Sequence, residues 1–265
     1  MFIKLVKHEL RASFRALIPV YGGLLLMALM ARGSVWLIQN EINTATNVLA
    51  VMMIVLFGLS CLASLVLAAV LMMVRFARSV HGDEGYLTNT LPVGVHAILL
   101  SRLVIAFAAI VLTMGVVYVG VRIVLLGVEG VEEVDAIFSE AFRMLQIDSG
   151  RFLIWTAASG AVSLLSSILM VFAAISIGHS FNTGKVGKSV LFYFVLYAAA
   201  QTVSTVVTVV LTVVDSGGLI FQEAEPSLAT VGSTMMLFTI CMNLIFCAVY
   251  YLITWLMMKK HLNLA

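Results

Sequence analysis

Three fragments of this 265-residue sequence carry residues at spacings that could do chemistry. Residues 182–189 read NTGKVGKS and end like a phosphate-binding loop, whose lysine and hydroxyl serve a nucleotide and its Mg2+. That loop needs a glycine where Asn182 stands and a strand before it, and the sequence offers neither. His8-Glu9 opens like a zinc-protease helix, but position 12, where the second ligand belongs, is Ala12. Glu132-Glu133 would suit intramembrane proteolysis only with an arginine at a fixed spacing, where Ile137 stands. The histidines, His8, His81, His96, His179 and His261, all fall at the ends of apolar runs, too shallow to work with a buried carboxylate. Cys61, Cys241 and Cys247 lie inside apolar segments and read as packing residues, with no disulfide framework. The residues therefore predict no catalytic constellation, no metal site and no cofactor bound by this chain.

The elements that carry these residues are apolar. The chain is 62% hydrophobic and 11% charged, and its mean hydropathy is +1.13. Soluble domains carry about 25% charged residues. Apolar runs at 18–38, 48–74, 98–125, 152–177, 190–214 and 233–258 each exceed the roughly 20 residues that a bilayer requires of a helix. The sequence thus predicts an all-α polytopic membrane protein of six transmembrane helices, a single permease-like domain over 1–265.

Charge orients it. Segments 1–17, 75–97 with Arg102, 178–189 and 259–265 hold 11 of the 15 basic residues and only Glu9, Asp83 and Glu84 among the acids. The opposite loops hold the other ten acids and only Arg32, Arg122, Arg143 and Arg151. The positive-inside rule then places both termini and residues 75–97 in the cytoplasm, as expected of a bacterial inner-membrane protein.

Residues 1–17 are not read as a signal peptide, because the basic part is long and no small-residue cleavage site follows. Phe2, Ile3, Val6, Leu10, Phe14 and Leu17 recur at helical spacing against a stripe of Lys4, Lys7, Arg11 and Arg15. This predicts an amphipathic interfacial elbow helix, with Pro19 at the start of the first span. It serves either as a plain anchor or also as a contact for a cytoplasmic partner. Residues 128–148 form a second amphipathic segment with an acidic face, either a lid on the outer side or a connector resting on headgroups. Residues 215–233 mix Gly, Pro and apolar residues, a pattern open to a re-entrant turn.

No Asp, Glu or Lys lies near mid-bilayer, and Arg32 and Arg122 sit toward outer ends, where they can snorkel. Ion-coupled carriers usually need an intramembrane carboxylate, so work done here would be powered from outside the chain. The spans do carry polar faces. Ser159, Ser163 and Ser167 repeat in the fourth, Gln201, Thr205, Thr208 and Thr212 share a face of the fifth, and Asn243 lies in the sixth. They serve either helix packing, including dimer contacts, or a path for an amphipathic substrate.

One stretch is specific. Glu84-Gly85-Tyr86-Leu87-Thr88-Asn89-Thr90-Leu91-Pro92-Val93, followed by Leu99-Leu100-Ser101-Arg102-Leu103, resembles the first cytoplasmic loop of ABC-2-type permeases, above all the small six-span membrane subunits of bacterial peptide exporters. Asp83 and Glu84 suit the start of a short helix, Tyr86, Leu87 and Leu91 give it an apolar face, and Pro92 ends it. The resemblance implies that these six residues couple to a separate ATPase subunit, which binds ATP and Mg2+. It also implies a second copy of this chain or a related permease, and export of an amphipathic substrate such as an antimicrobial peptide. The alternatives are an ion-coupled secondary transporter and a non-transporting membrane scaffold or sensor that docks a cytoplasmic partner. The chain departs from that family in one respect: its clearest outer amphipathic segment follows the third span, not the fifth.

Overall fold

In a computed structural model of the chain, the described residues are 2–39, 44–81, 94–126, 128, 140, 149–181, 184–215 and 228–260. They form six long helices: α1 (Phe2–Gln39), α2 (Thr44–His81), α3 (Val95–Leu125), α4 (Ser149–His179), α5 (Lys185–Asp215) and α6 (Leu228–Lys260). Each contains a segment long and apolar enough to cross a membrane, so the chain is a multi-pass, all-helical membrane protein. Residues 82–93 and most of 128–148 and 215–233 lie outside the described set.

All six helices run past the limits that hydropathy set, and two of them do so by about two turns or more. The expected elbow and first span are one continuous helix, and Pro19 lies within it. Proline removes one N–H and with it one backbone bond, a loss that helices near or in membranes can accommodate. Leu17 is fully buried, whereas Arg11 and Arg15 are exposed. At the other end of the hairpin, α2 continues to His81, so the expected loop 75–97 is shortened by two helical turns. There Phe76, Ser79 and Val80 are buried while Arg78 is exposed. Apolar length marks the bilayer, and an amphipathic helix runs on beyond it.

The chain, expected as one domain over 1–265, forms two compact units: Met1–Phe76 with Ala97–Asp135, and Ala77–His96 with Ala136–Ala265. The end of α2 and the first two residues of α3 thus belong with α4, α5 and α6.

In the first unit α1 buries Leu17, Tyr21, Leu24, Ala28 and Ala31, alternating steps of four and three along one face. Ala28 and Ala31 meet Phe57 of α2 and Val124 of α3, with Val35, Cys61 and Ile123 packed at the edge. Small residues let the backbones close up. A methyl group on Gly120 would stand 3.1 Å from Leu24 Cδ2 and 3.4 Å from the Phe57 ring. The Tyr21 hydroxyl is a polar link across this core, reaching the Ala109 carbonyl at 3.5 Å as well as Thr113. The Tyr21 hydroxyl lies 2.9 Å from Thr113 Oγ1, which in turn donates to the Ala109 carbonyl at 2.8 Å.

In the second unit α4 is central. Half of its most apolar window is buried, against none of that of α5 and 6% of that of α6. Phe172 to Ser176 are buried without a break, so α4 has no solvent- or lipid-facing side over that turn. It packs on both α5 and α6. Tyr250, Thr254 and Met258 form the buried stripe of α6.

The α4–α5 turn is where NTGKVGKS lies. The described residues of that stretch, 184–189, lead into α5, and the element before the turn is a helix and not a strand. Ser180 N and Oγ both donate to the Ile177 carbonyl, at 3.1 and 2.7 Å. Gly184 adopts φ 65°, the left-handed region where a side chain is strained, and its carbonyl accepts the Lys188 N–H at 3.0 Å as α5 begins. The Ser189 hydroxyl is used on the Lys185 carbonyl at 2.9 Å, and the Lys188 ammonium stands 4.3 Å from the centre of the Phe181 ring. Gly178 touches α5 backbone to backbone: a methyl there would lie 2.5 Å from Ser189 N and 2.6 Å from its Cα. Gly178→Ala should therefore destabilise the second unit by about 1–3 kcal/mol in denaturant-induced unfolding of the purified chain. Ser189→Gly should rescue it only in part, because it removes the nearest clashing atom, Ser189 Oγ, but leaves the backbone N and Cα in the way.

Candidate functional site at the start of helix α3

The residues expected to couple to an ATPase, Asp83, Glu84, Tyr86, Leu87, Leu91 and Pro92, lie outside the described residues. What is described is the point where that segment rejoins the membrane domain. Gly94 is exposed, and α3 starts at Val95. The second residue of the helix, His96, is held by α6.

The last turns of α6 place Tyr251, Trp255 and Lys259 four residues apart, on a stripe beside the buried Tyr250, Thr254 and Met258. Burial of the second stripe fixes how the helix is rotated and so aims the first. Thr254 adds its hydroxyl to the Tyr250 carbonyl at 2.7 Å. Tyr and Trp at such an end have a physical reason to be there: their rings suit the interface, with one edge polar.

His96 stacks on both rings. Its ring centroid lies 5.9 Å from that of Tyr251 at 17° and 5.2 Å from that of Trp255 at 18°. Its Nδ1 is 2.7 Å from the Tyr251 hydroxyl oxygen. Lys259 Nζ covers Trp255 at 5.0 Å from the ring centre, a cation–π contact. A short hydrogen bond and two near-parallel ring contacts hold the exposed imidazole against α6.

The other expected site residues are dispersed. Lys4 and Lys7 lie on the first turns of α1, ahead of the exposed Arg11 and Arg15. Gln201, Thr205 and Thr208 share an exposed face of α5, and Thr212 follows on the same helix. The hydroxyls there are spent on their own helix. Thr205 donates to the Gln201 carbonyl and Thr208 to that of Ser204, each at 2.8 Å. Asn243 is half-buried on α6 and donates to the Thr239 carbonyl at 2.9 Å. In α4 the expected serine face is not the deepest one. Ser167 is exposed and donates to the Ser163 carbonyl at 2.9 Å, whereas Ser166 and Ser176 are buried.

His96 had been grouped with the other histidines at span ends, and its partners were missed. The available signal was the i, i+4, i+8 run of Tyr251, Trp255 and Lys259. Sequence spacing on α6 shows that stripe but not which residue, 155 positions away, packs against it.

The His96–Tyr251 pair should show coupling. In a double-mutant cycle of His96→Ala and Tyr251→Phe, the two losses of stability should be non-additive by about 1 kcal/mol. Additive losses would mean that the pair carries no interaction of its own. Compared with protein-family models, with curated proteins and with solved structures, the chain finds no match.

Proposed function

We propose that the chain is the transmembrane subunit of an ATP-driven exporter of the ABC-2 type. The observation that carries this reading is the stretch Glu84–Val93, with its resemblance to the ATPase-docking loop of such permeases. It joins two of six helices able to span a membrane. The concentration of basic residues on that side of the chain supports a cytoplasmic placement for the loop and both termini, in a bacterial inner membrane.

In this reading a separate ATPase subunit binds ATP and Mg2+ and docks on Tyr86, Leu87 and Leu91, with Asp83, Glu84 and Pro92 shaping the loop. Its closure displaces the loop. His96 passes the displacement to Tyr251 and Trp255, and α3 and α6 shift between two states. A second copy of the chain, or a related permease, completes the pathway along faces such as Gln201–Thr212 of α5. The substrate is amphipathic, of peptide or lipid-like character. Spans rich in apolar and hydroxyl groups, without mid-membrane acids, suit such a molecule better than an ion.

The test is association and coupling. The chain should co-purify with an ATPase encoded beside it. Leu91→Asp or Glu84→Lys should weaken that association at least about tenfold, or leave ATP hydrolysis running without export, with membrane insertion unchanged. Wild-type export by both variants removes the docking assignment. Transport driven by an imposed proton gradient, in liposomes without any ATPase, removes the exporter reading altogether.

A further inference from the structure

Among the described residues of the first unit, the buried polar atoms Arg32 Nη1 on α1 and Asn47 Oδ1 on α2 have no hydrogen-bond partner. They lie toward the same end of the α1–α2 hairpin. Arg32 is seven residues before the end of α1, and Asn47 is three residues after the start of α2. At 1.5 Å per residue these offsets are about 10 Å and about 5 Å from the helix ends, near the level where hydrocarbon gives way to headgroups. Trp36, one turn beyond Arg32, is 56% exposed, as expected of a residue in the interfacial belt.

The chemistry of the two orphans is complementary to a single ligand. An arginine in a protein stays protonated, so its buried nitrogen calls for an anionic acceptor. An amide oxygen calls for an N–H or O–H donor. Ala31, Gly33 and Val35 supply no polar atom beyond the backbone, and the Ser34 hydroxyl is spent on the Met30 carbonyl at 3.0 Å. Among the described side chains of this unit there is no carboxylate. We infer that this end of the hairpin binds a phospholipid headgroup, with its phosphodiester on Arg32 and a donor group beyond the phosphate on Asn47. An ethanolamine ammonium or a glycerol hydroxyl provides that donor, and a choline does not. The site does not depend on any transport function.

The experiment uses the full purified chain in detergent. It is titrated with phosphatidylethanolamine, phosphatidylglycerol, phosphatidylcholine or diacylglycerol, and bound lipid is counted by native mass spectrometry. Phosphatidylethanolamine and phosphatidylglycerol should bind more tightly than phosphatidylcholine, and diacylglycerol should bind weakest. Arg32→Ala should cost about tenfold in affinity for all three phospholipids, and Arg32→Lys should restore part of it. Asn47→Leu should erase the preference over phosphatidylcholine while leaving the dependence on phosphate. Binding that ignores the headgroup, or that is unchanged in Arg32→Ala, overturns the inference. So does a chain carrying Glu129→Gln, Glu132→Gln, Glu133→Gln and Asp135→Asn that loses stability in step with Arg32→Ala while its bound lipid stays constant. Arg32 would then be paired with that acidic segment.

Discussion

Within hydrocarbon there is no water to satisfy a peptide group, and each unpaired N–H or C=O costs several kcal/mol. Everything described in this chain follows from that constraint. The backbone answers it with six uninterrupted helices of 31 to 38 residues. The side chains answer it in the same way. Ser34, Ser60, Ser64, Ser101, Thr202, Thr239 and Thr254 each donate to a carbonyl three or four residues back on their own helix. A hydroxyl bonded in this way faces lipid or a close-packed neighbour at little cost. The polar faces of the spans are therefore chemically quiet until something approaches that offers a better partner.

With the backbone satisfied internally, cohesion between helices has to come from shape and from a few bonds between them. The two units use different means. The first relies on small residues, Ala28, Ala31 and Gly120, so that α1, α2 and α3 meet closely around Phe57, with Tyr21 and Thr113 as its polar link. The second relies on one helix surrounded by others. α4 carries the burial and α5 carries almost none, yet at the turn the two come into backbone contact through Gly178. Burial of α5 is deepest at its start, at Ser189, and along the rest of the helix a half-buried stripe of Phe192, Leu196, Ala200, Ser204, Val207 and Leu211 is set against largely exposed faces.

Much of this architecture was legible in the sequence, because apolar length is dictated by bilayer thickness. All six helices were located by it. The ends were less legible: α2 runs on past Arg75 because Arg78 rides an exposed face while Phe76 and Val80 stay buried. Pro19 looked like a boundary and is an interior residue. Packed faces were not legible either. On a helix apolar all round, periodicity does not say which stripe is deepest, so the spacing of Ser159, Ser163 and Ser167 does not reveal that Ser166 and Ser176 are the buried serines. The pairs Tyr21–Thr113 and His96–Tyr251 depend on how distant segments meet, which no local pattern encodes.

The unbroken course of α1 has a mechanical consequence. A helix of 38 residues has a contour length of about 57 Å, nearly twice the thickness of the hydrocarbon layer. Rods of this kind act as levers. A tilt of about 10° around the middle sweeps each tip through about 5 Å, in opposite directions on the two sides of the membrane. Pro19, which removes one backbone bond inside this helix, is the place where such a rod bends most readily, so it governs how far a pull on the basic end beside Arg11 and Arg15 reaches the far end beside Trp36.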